Sequence, residues 1–199
     1  MTRARDLADA ADKDFSGTVT VDNITIGGNI SQDSGTVKLD GNFPTGSNNV
    51  ALGDQALDDG SLSGNANTAI GFQALSENEG GGSNVAVGSG SLFSNTSASN
   101  NTALGKDALY ANTTGSEGTA VGQGALSANT TGTQNTAVGR KALEVNTTGA
   151  GNTAVGQRAL DANTTADNNT AVGRAALGAN TTGNSNVAVG TNSLDANTT

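Results

Sequence analysis

The feature that most constrains this chain is an internal repeat of 17 residues. From Asn49 onward the sequence aligns on itself in nine copies, and only the first copy is one residue longer than the others. The copies begin at positions 49, 67, 84, 101, 118, 135, 152, 169 and 186, and they share the pattern N-T/V-A-V/I/L-G-x-x-A/S-L-x-x-N-T-T-G-x-x. A fixed period of this kind is typical of solenoids, in which each unit packs on its neighbours.

The length and composition of the repeat favour β-structure over helix. Helical repeats need about 33 residues or more, so a unit of 17 residues is too short for two helices and their turns. Every copy is rich in residues of the types Gly, Asn and Thr, which are poor helix formers. The segment Thr136-Ala137-Val138 followed by Gly139 reads as a short strand that enters a turn. We therefore predict an all-β parallel β-roll, or β-solenoid, over residues 49–199, with one coil per copy.

The repeat also predicts an interior. Ala137, Val138, Gly139, Ala142 and Leu143 form the predicted repeat core of one coil, whereas the neighbouring charged positions vary between copies and should face solvent. The third position is Ala in all nine copies, which indicates a narrow interior. The first and twelfth positions are mostly Asn, which predicts hydrogen-bonded ladders of identical residues, and glycine interrupts the first ladder once, at position 118. A single coil buries little apolar surface, so we expect stacking and an obligate oligomer to stabilise it.

Composition excludes several classes of function. The chain has no Cys and no His, which excludes disulfides, thiolate metal sites and the commonest general base. The net charge is −9, and no stripe of Lys or Arg offers a surface for nucleic acid or anionic lipid. No stretch approaches the about 18 to 20 apolar residues of a membrane helix. We expect no enzyme activity, no cofactor, no nucleic-acid partner and no membrane insertion.

The residues before the repeat form two further predicted regions. Residues 16–48 read as a small β collar, because apolar residues alternate with polar ones in pairs such as Val19 with Val21 and Ile24 with Ile26. Residues 1–15 are predicted to be a short helix or a flexible tail. They carry two arginines without a following apolar segment, so they do not read as a signal peptide.

Two segments resemble known families. The units NTAVGRKAL (135–143) and NVAVGTNSL (186–194) resemble the head repeats of trimeric autotransporter adhesins, and the resemblance covers residues 49–199. It implies a left-handed, homotrimeric parallel β-roll. Those heads usually have a shorter repeat, so the residues around N-T-T-G should form a longer turn. The opening MTRARDLAD and the run over 27–53 are similar to the start of tail-fibre and related structural proteins of marine bacteriophages.

These resemblances imply a structural component of a phage virion, assembled in the host cytoplasm. Its N-terminal segment would attach to other virion proteins through Arg3, Arg5, Asp6 and Leu7, and its repeat shaft would project towards a host-surface receptor. A capsid-surface fibre or decoration protein is the alternative within the phage interpretation. A fragment of a bacterial trimeric surface adhesin is the alternative of another class. The ninth copy stops within a coil, so we expect either a covering partner or a longer natural chain.

Other motifs have simpler interpretations. The Asn-Thr-Thr of the last six copies matches the N-glycosylation acceptor but is typical of turns. Regular threonines suggest an ice-binding face, but Val replaces Thr at the second position of three copies. Aspartates do not recur in register, which argues against repeated calcium sites. Two carboxylate pairs, Asp58 with Asp59 and Glu77 with Glu79, have no recurring catalytic companion and are interpreted as solvated surface.

Overall fold

The computed structural model describes residues 47–199, which form a parallel β-solenoid of nine coils. Within this part of the chain there are nine strands of three residues each and no helix. The predicted helical or flexible segment over 1–15 lies outside the described residues, as does the predicted collar over 16–48 except for its last two residues. The strands are β1 (Val50–Leu52), β2 (Thr68–Ile70), β3 (Val85–Val87), β4 (Thr102–Leu104), β5 (Thr119–Val121), β6 (Thr136–Val138), β7 (Thr153–Val155), β8 (Thr170–Val172) and β9 (Val187–Val189).

The strands form one sheet in sequence order, and every neighbouring pair is parallel. The register repeats the period of the sequence, since Ala137 in β6 pairs with Ala154 in β7. Ala51 in β1 pairs with Ala69 in β2, so the longer first copy accommodates its extra residue outside the strand. Each copy is therefore one coil, as predicted, and each strand occupies the second to fourth positions of its coil. The coils are numbered here from 1 to 9 in the order of the copies.

The interior is formed by small side chains and one leucine per coil. In coil 6, Ala137, Ala142 and Leu143 are all 0% exposed. Val138 belongs to the same predicted core but is only half-buried, and it lies outside the cluster of core residues. The repeat core therefore has to be corrected at Val138, and also at Gly139, which is only partly buried. In a strand of three residues the side chains alternate, so burying Ala137 turns both of its neighbours outward.

A positive φ recurs at the fifth, seventh and ninth residues of all nine coils and at the last residue of the first eight. The fifth is always Gly, and Gly139 has a φ of 137° that essentially only glycine adopts. A Cβ on Gly139 would also lie 2.6 Å from the carbonyl carbon of Gly156 in the next coil. The ninth is always Leu, and Leu143 has a φ of 52°. Its strain of about 1–2 kcal/mol is offset by burial of the side chain, which contributes about 1.5–3 kcal/mol.

Two columns of buried asparagines join the coils, at the twelfth and first positions. In the twelfth-position column, Asn146 Nδ2 donates to Asn129 Oδ1 of the previous coil at 2.8 Å and to the carbonyl of Gly149 at 3.0 Å. In the first-position column, Asn135 Oδ1 accepts from the backbone N–H of Asn152 at 2.9 Å. These bonds satisfy polar groups that would otherwise be buried without partners. They are the predicted ladders of identical residues.

The asparagine columns have two local variations. Gly118 takes the place of Asn in the first-position column, and its N–H still donates to Asn101 Oδ1 at 2.7 Å. Coil 1 has no Asn in the twelfth-position column. Leu62 is completely buried there. Its backbone N–H donates to the carbonyl of Asp59, just as the backbone N–H of Asn78 donates to the carbonyl of Leu75 in coil 2. The apolar Leu62 thus closes the end of the buried polar column.

Candidate functional site

The outer face of the sheet is the most distinctive surface of the described residues. It consists of the second and fourth side chains of each coil, which flank the buried Ala of every strand. The fourth-position column comprises Leu52, Ile70, Val87, Leu104, Val121, Val138, Val155, Val172 and Val189. The second-position column comprises Val50, Thr68, Val85, Thr102, Thr119, Thr136, Thr153, Thr170 and Val187.

The fourth-position column is apolar in every coil. Because the strands pair in register, each of these side chains lies directly beside the equivalent one in the next coil, as Val121 does beside Val138. Several are well exposed, with Leu52 at 53% and Leu104 at 46% of their surface. The result is an unbroken apolar column along the sheet.

The second-position column adds hydroxyl and methyl groups beside the apolar column. Threonine occupies it in five consecutive coils from Thr102 to Thr170, and valine replaces it in coils 1, 3 and 9. No charged side chain lies on the outer face of the described coils, because all of their Lys, Arg, Asp and Glu residues lie outside the strands. A contiguous apolar surface rimmed by polar residues is typical of a face that binds another protein surface.

Two ion pairs between charged residues of the described coils lie within single coils. Lys141 pairs with Glu144 at 2.8 Å, and Arg158 lies 3.7 Å from Asp161. Burial raises the pKa of the Asp161 carboxyl above its ordinary value of 3.8, and Arg158 partly counteracts that rise. These contacts lie between the seventh and tenth positions of one coil, so they stabilise the surface of single coils.

Of the two carboxylate pairs considered for catalysis, Asp58 with Asp59 accepts hydrogen bonds from neighbouring serines. Asp59 Oδ1 accepts a hydrogen bond from the backbone N–H of Ser61 at 2.7 Å, and Asp58 Oδ1 accepts one from Ser76 Oγ at 3.3 Å. Across residues 47–199, no group of three His, Cys, Asp or Glu side chains could hold a metal ion. The same residues contain no helix long and apolar enough to cross a membrane. The proposed attachment residues Arg3, Arg5, Asp6 and Leu7 lie outside the described part of the chain.

The sequence contains a signal for the outer face, although the predicted repeat core places Val138, its fourth-position residue, in the interior. The alternation of Thr136, Ala137 and Val138 gives Ala137 a face opposite to that of its two neighbours. Since every copy has Ala at the third position, the fourth-position valines could not share its side of the sheet. Val138 is predicted to be in the core because it is hydrophobic, but the alternation of side chains along the strand places it outside.

Comparison of the chain with protein-family models, curated proteins and solved structures finds no match in any of the three. The geometry of the coils and the pattern of the sequence are therefore the grounds for a functional proposal.

Proposed function

We propose that this chain is a structural shaft that assembles as a homotrimer through its outer face and serves as a fibre or spike component of a bacteriophage virion. The observation that carries the proposal is the unbroken apolar column at the fourth position of all nine strands. A monomer would leave this column in water over its entire length. Packing copies of the chain against one another along the column removes it from water.

Self-association suits this surface better than binding to an unrelated partner. The column has the same chemistry at every coil, so identical chains match each other coil by coil, and the interface grows with the length of the shaft. Closed rotational symmetry is the usual outcome when identical chains bury a shared face. The number of three chains and the left-handed coil come from the resemblance to the adhesin heads and stay predictions.

The interior of the coil supports a mechanical role. Backbone and asparagine hydrogen bonds join each coil to the next at several positions, as at Asn146 and Leu143. With about 4.8 Å between neighbouring strands, nine coils span roughly 40 Å. Such a coil resists bending because any bend would open these in-register bonds on one side. A rigid spacer of this kind suits a projecting fibre.

The location in a virion depends on the opening of the sequence. Its similarity to tail-fibre and related structural proteins supports attachment of residues 1–15 to other virion proteins, with Arg3, Arg5, Asp6 and Leu7 as the contact residues. The shaft would then project for adsorption to a host surface. A capsid-surface fibre or decoration protein and a fragment of a bacterial adhesin stay the alternatives.

Paired glutamates on the outer face test the assembly. Val121→Glu with Val155→Glu places two charges in the apolar column, two coils apart. We expect this double variant to sediment as a folded monomer, because association would bury unpaired carboxylates. The matched control is Thr131→Glu with Thr165→Glu, which places the same charges in exposed turns at the same spacing and should leave the assembly intact. Equal masses for the two double variants would contradict assembly through this face.

Immunogold labelling tests the virion location. Antibodies against the repeat should label projections on phage particles purified from a lysate that contains this protein. Recovery of the protein with host envelopes, and none with purified particles, would contradict the virion role and favour the bacterial adhesin.

A further inference from the structure

The tenth position of the coil carries an aromatic stack that ends abruptly. Phe93 in coil 3 and Tyr110 in coil 4 occupy this position, with ring centroids 5.1 Å apart and ring planes only 7° from parallel. The same position holds Ser127 in coil 5 and Glu144 in coil 6. One face of the Tyr110 ring is therefore covered by Phe93, whereas the other points along the shaft towards the small Ser127. Tyr110 is 40% exposed.

An open cavity of about 580 Å³ lies on that side of Tyr110. We refer to this cavity as the slot. Small residues of coil 5, among them Gly124 and Ser127, line it next to Tyr110. The Ser127 hydroxyl bonds the backbone carbonyl of Glu144 at 3.3 Å, so it adds no bulk towards the ring. The lining also includes Asp107, Gln123, Lys141 and Glu144.

The spacing along the shaft between Tyr110 and Glu144 leaves room for one six-membered ring in the slot. Tyr110 and Glu144 are two coils apart, which is roughly 9.6 Å at the usual strand spacing. A ring inserted at the level of Ser127 would lie about 4.8 Å from Tyr110, within the range of stacked rings. That spacing is close to the one between Phe93 and Tyr110. A ligand ring in the slot would thus add a third ring to the stack, at the level where coil 5 has Ser127 instead of an aromatic residue.

The chemistry of the walls selects the kind of ring. One wall is the apolar face of Tyr110, and the lining also includes Asp107, Glu144 and Gln123, whose side chains are two carboxylates and an amide. Lys141 bonds Glu144 at 2.8 Å and holds that carboxylate at the edge of the slot. A planar aromatic ligand would stack on the tyrosine but would cover these polar groups without bonding them, which is unfavourable. A pyranose offers both a C–H face and hydroxyls around its rim.

We propose that the slot is a carbohydrate-binding site that takes one pyranose ring. The C–H face of the sugar stacks on Tyr110, and its hydroxyls donate to Asp107 and Glu144 and exchange hydrogen bonds with Gln123. This function goes beyond the role of a shaft and does not depend on assembly through the outer face. Shallow sites with a single stacking residue bind weakly, so we expect a Kd of about 1 mM.

The intrinsic fluorescence of the full chain gives a direct test, because Tyr110 is the only tyrosine and there is no tryptophan. Titration with methyl β-D-glucopyranoside, methyl β-D-galactopyranoside and methyl α-D-mannopyranoside should give a saturable change in tyrosine emission with at least one of the three. Benzyl alcohol serves as the planar aromatic probe. No saturable change with any of the sugars, or a change with benzyl alcohol alone, would overturn the proposal.

Two serine variants distinguish the slot from binding elsewhere. Ser127→Phe fills the slot with a ring on the free face of Tyr110 and should therefore bind the sugar at least tenfold more weakly. We expect the variant to keep its fold, because Phe93 and Tyr110 already stack at this position of neighbouring coils. The matched control is Ser76→Phe, which adds the same side chain at the tenth position of coil 2, beyond Phe93, and should bind like the unmodified chain. Unchanged binding by Ser127→Phe would overturn the site. Sedimentation of the same samples separates a loss of binding from a loss of assembly.

Discussion

The inner positions of a coil find their packing and hydrogen-bond partners within a single chain, whereas the outer face does not. Leu143 and Asn146 are buried, and Gly139 is partly buried at the end of the strand. Each has its packing or hydrogen bonds completed by the neighbouring coils of the same chain. Val138 is outside the core, and the fourth position is apolar in every strand although no contact in the core requires an apolar residue there. A polar β-branched residue such as threonine would also suit a strand at that position. The inner columns therefore account for the coil, whereas the outer column points to association.

The largest expected effect in this comparison comes from the glycines at the fifth position of the coils. Gly139→Ala combines a φ of 137° with a Cβ that meets the backbone of Gly156 in the next coil. We expect a loss of about 3 kcal/mol or more in the free energy of unfolding, since strain and overpacking add. Chemical denaturation followed by circular dichroism measures it.

Gly124→Ala is the control for that substitution. Gly124 has a φ of 68°, and an added Cβ would meet Lys141 only at an ordinary contact distance of 3.7 Å. Ala175 already occupies the equivalent position of coil 8 with a φ of 53°. We expect a loss of about 1 kcal/mol. Equal losses for the two variants would show that contact between coils at the fifth position is unimportant.

A smaller effect is expected within the twelfth-position asparagine column. Asn146→Ala removes the donor to Asn129 Oδ1, whereas the carbonyl of Gly149 keeps a second donor in Asn135 Nδ2 at 2.7 Å. Asn129 Oδ1 loses its donor and Asn163 Nδ2 loses the acceptor Asn146 Oδ1, so we expect a loss of about 1–3 kcal/mol in the free energy of unfolding. Thr148→Ala, at an exposed position of the same turn, should change it by less than about 0.5 kcal/mol. A loss no larger in Asn146→Ala than in Thr148→Ala would contradict a stabilising role for the column.

The smallest expected effect concerns Asp161, at the surface of coil 7. Burial raises its pKa above 3.8, so the folded state binds a proton more readily than the unfolded state. At neutral pH the ionised Asp161 carboxylate destabilises the folded state. This destabilisation disappears as the pH falls through the raised pKa towards 3.8. We expect Asp161→Asn to melt slightly higher than the unmodified chain at pH 7, and this advantage to vanish at acidic pH.

Melting curves at several pH values check this expectation, with Asp195→Asn as the control. Asp195 occupies the same tenth position in coil 9 but is exposed. An advantage for Asp161→Asn that grows as the pH falls would contradict the sign of the linkage.

The period of the sequence predicted the coil, the parallel register and the asparagine columns, because each depends on residues that recur every 17 positions. The conformation of Leu143 was not predictable in the same way. Leucine disfavours positive φ, and only closure of the coil imposes it there. The slot was missed because it depends on how Tyr110 and Ser127 differ at one position of neighbouring coils. Aligning the copies by column, rather than seeking their consensus, would have revealed it.

The most direct test of the central claim is the solution mass of the full unmodified chain, measured by sedimentation across a wide range of concentration. The proposed homotrimer has a mass of three chains that does not change on dilution and a circular dichroism spectrum rich in β-structure. A folded chain that sediments as a monomer at every concentration would contradict it, because the apolar column would then be stable in water without a second copy.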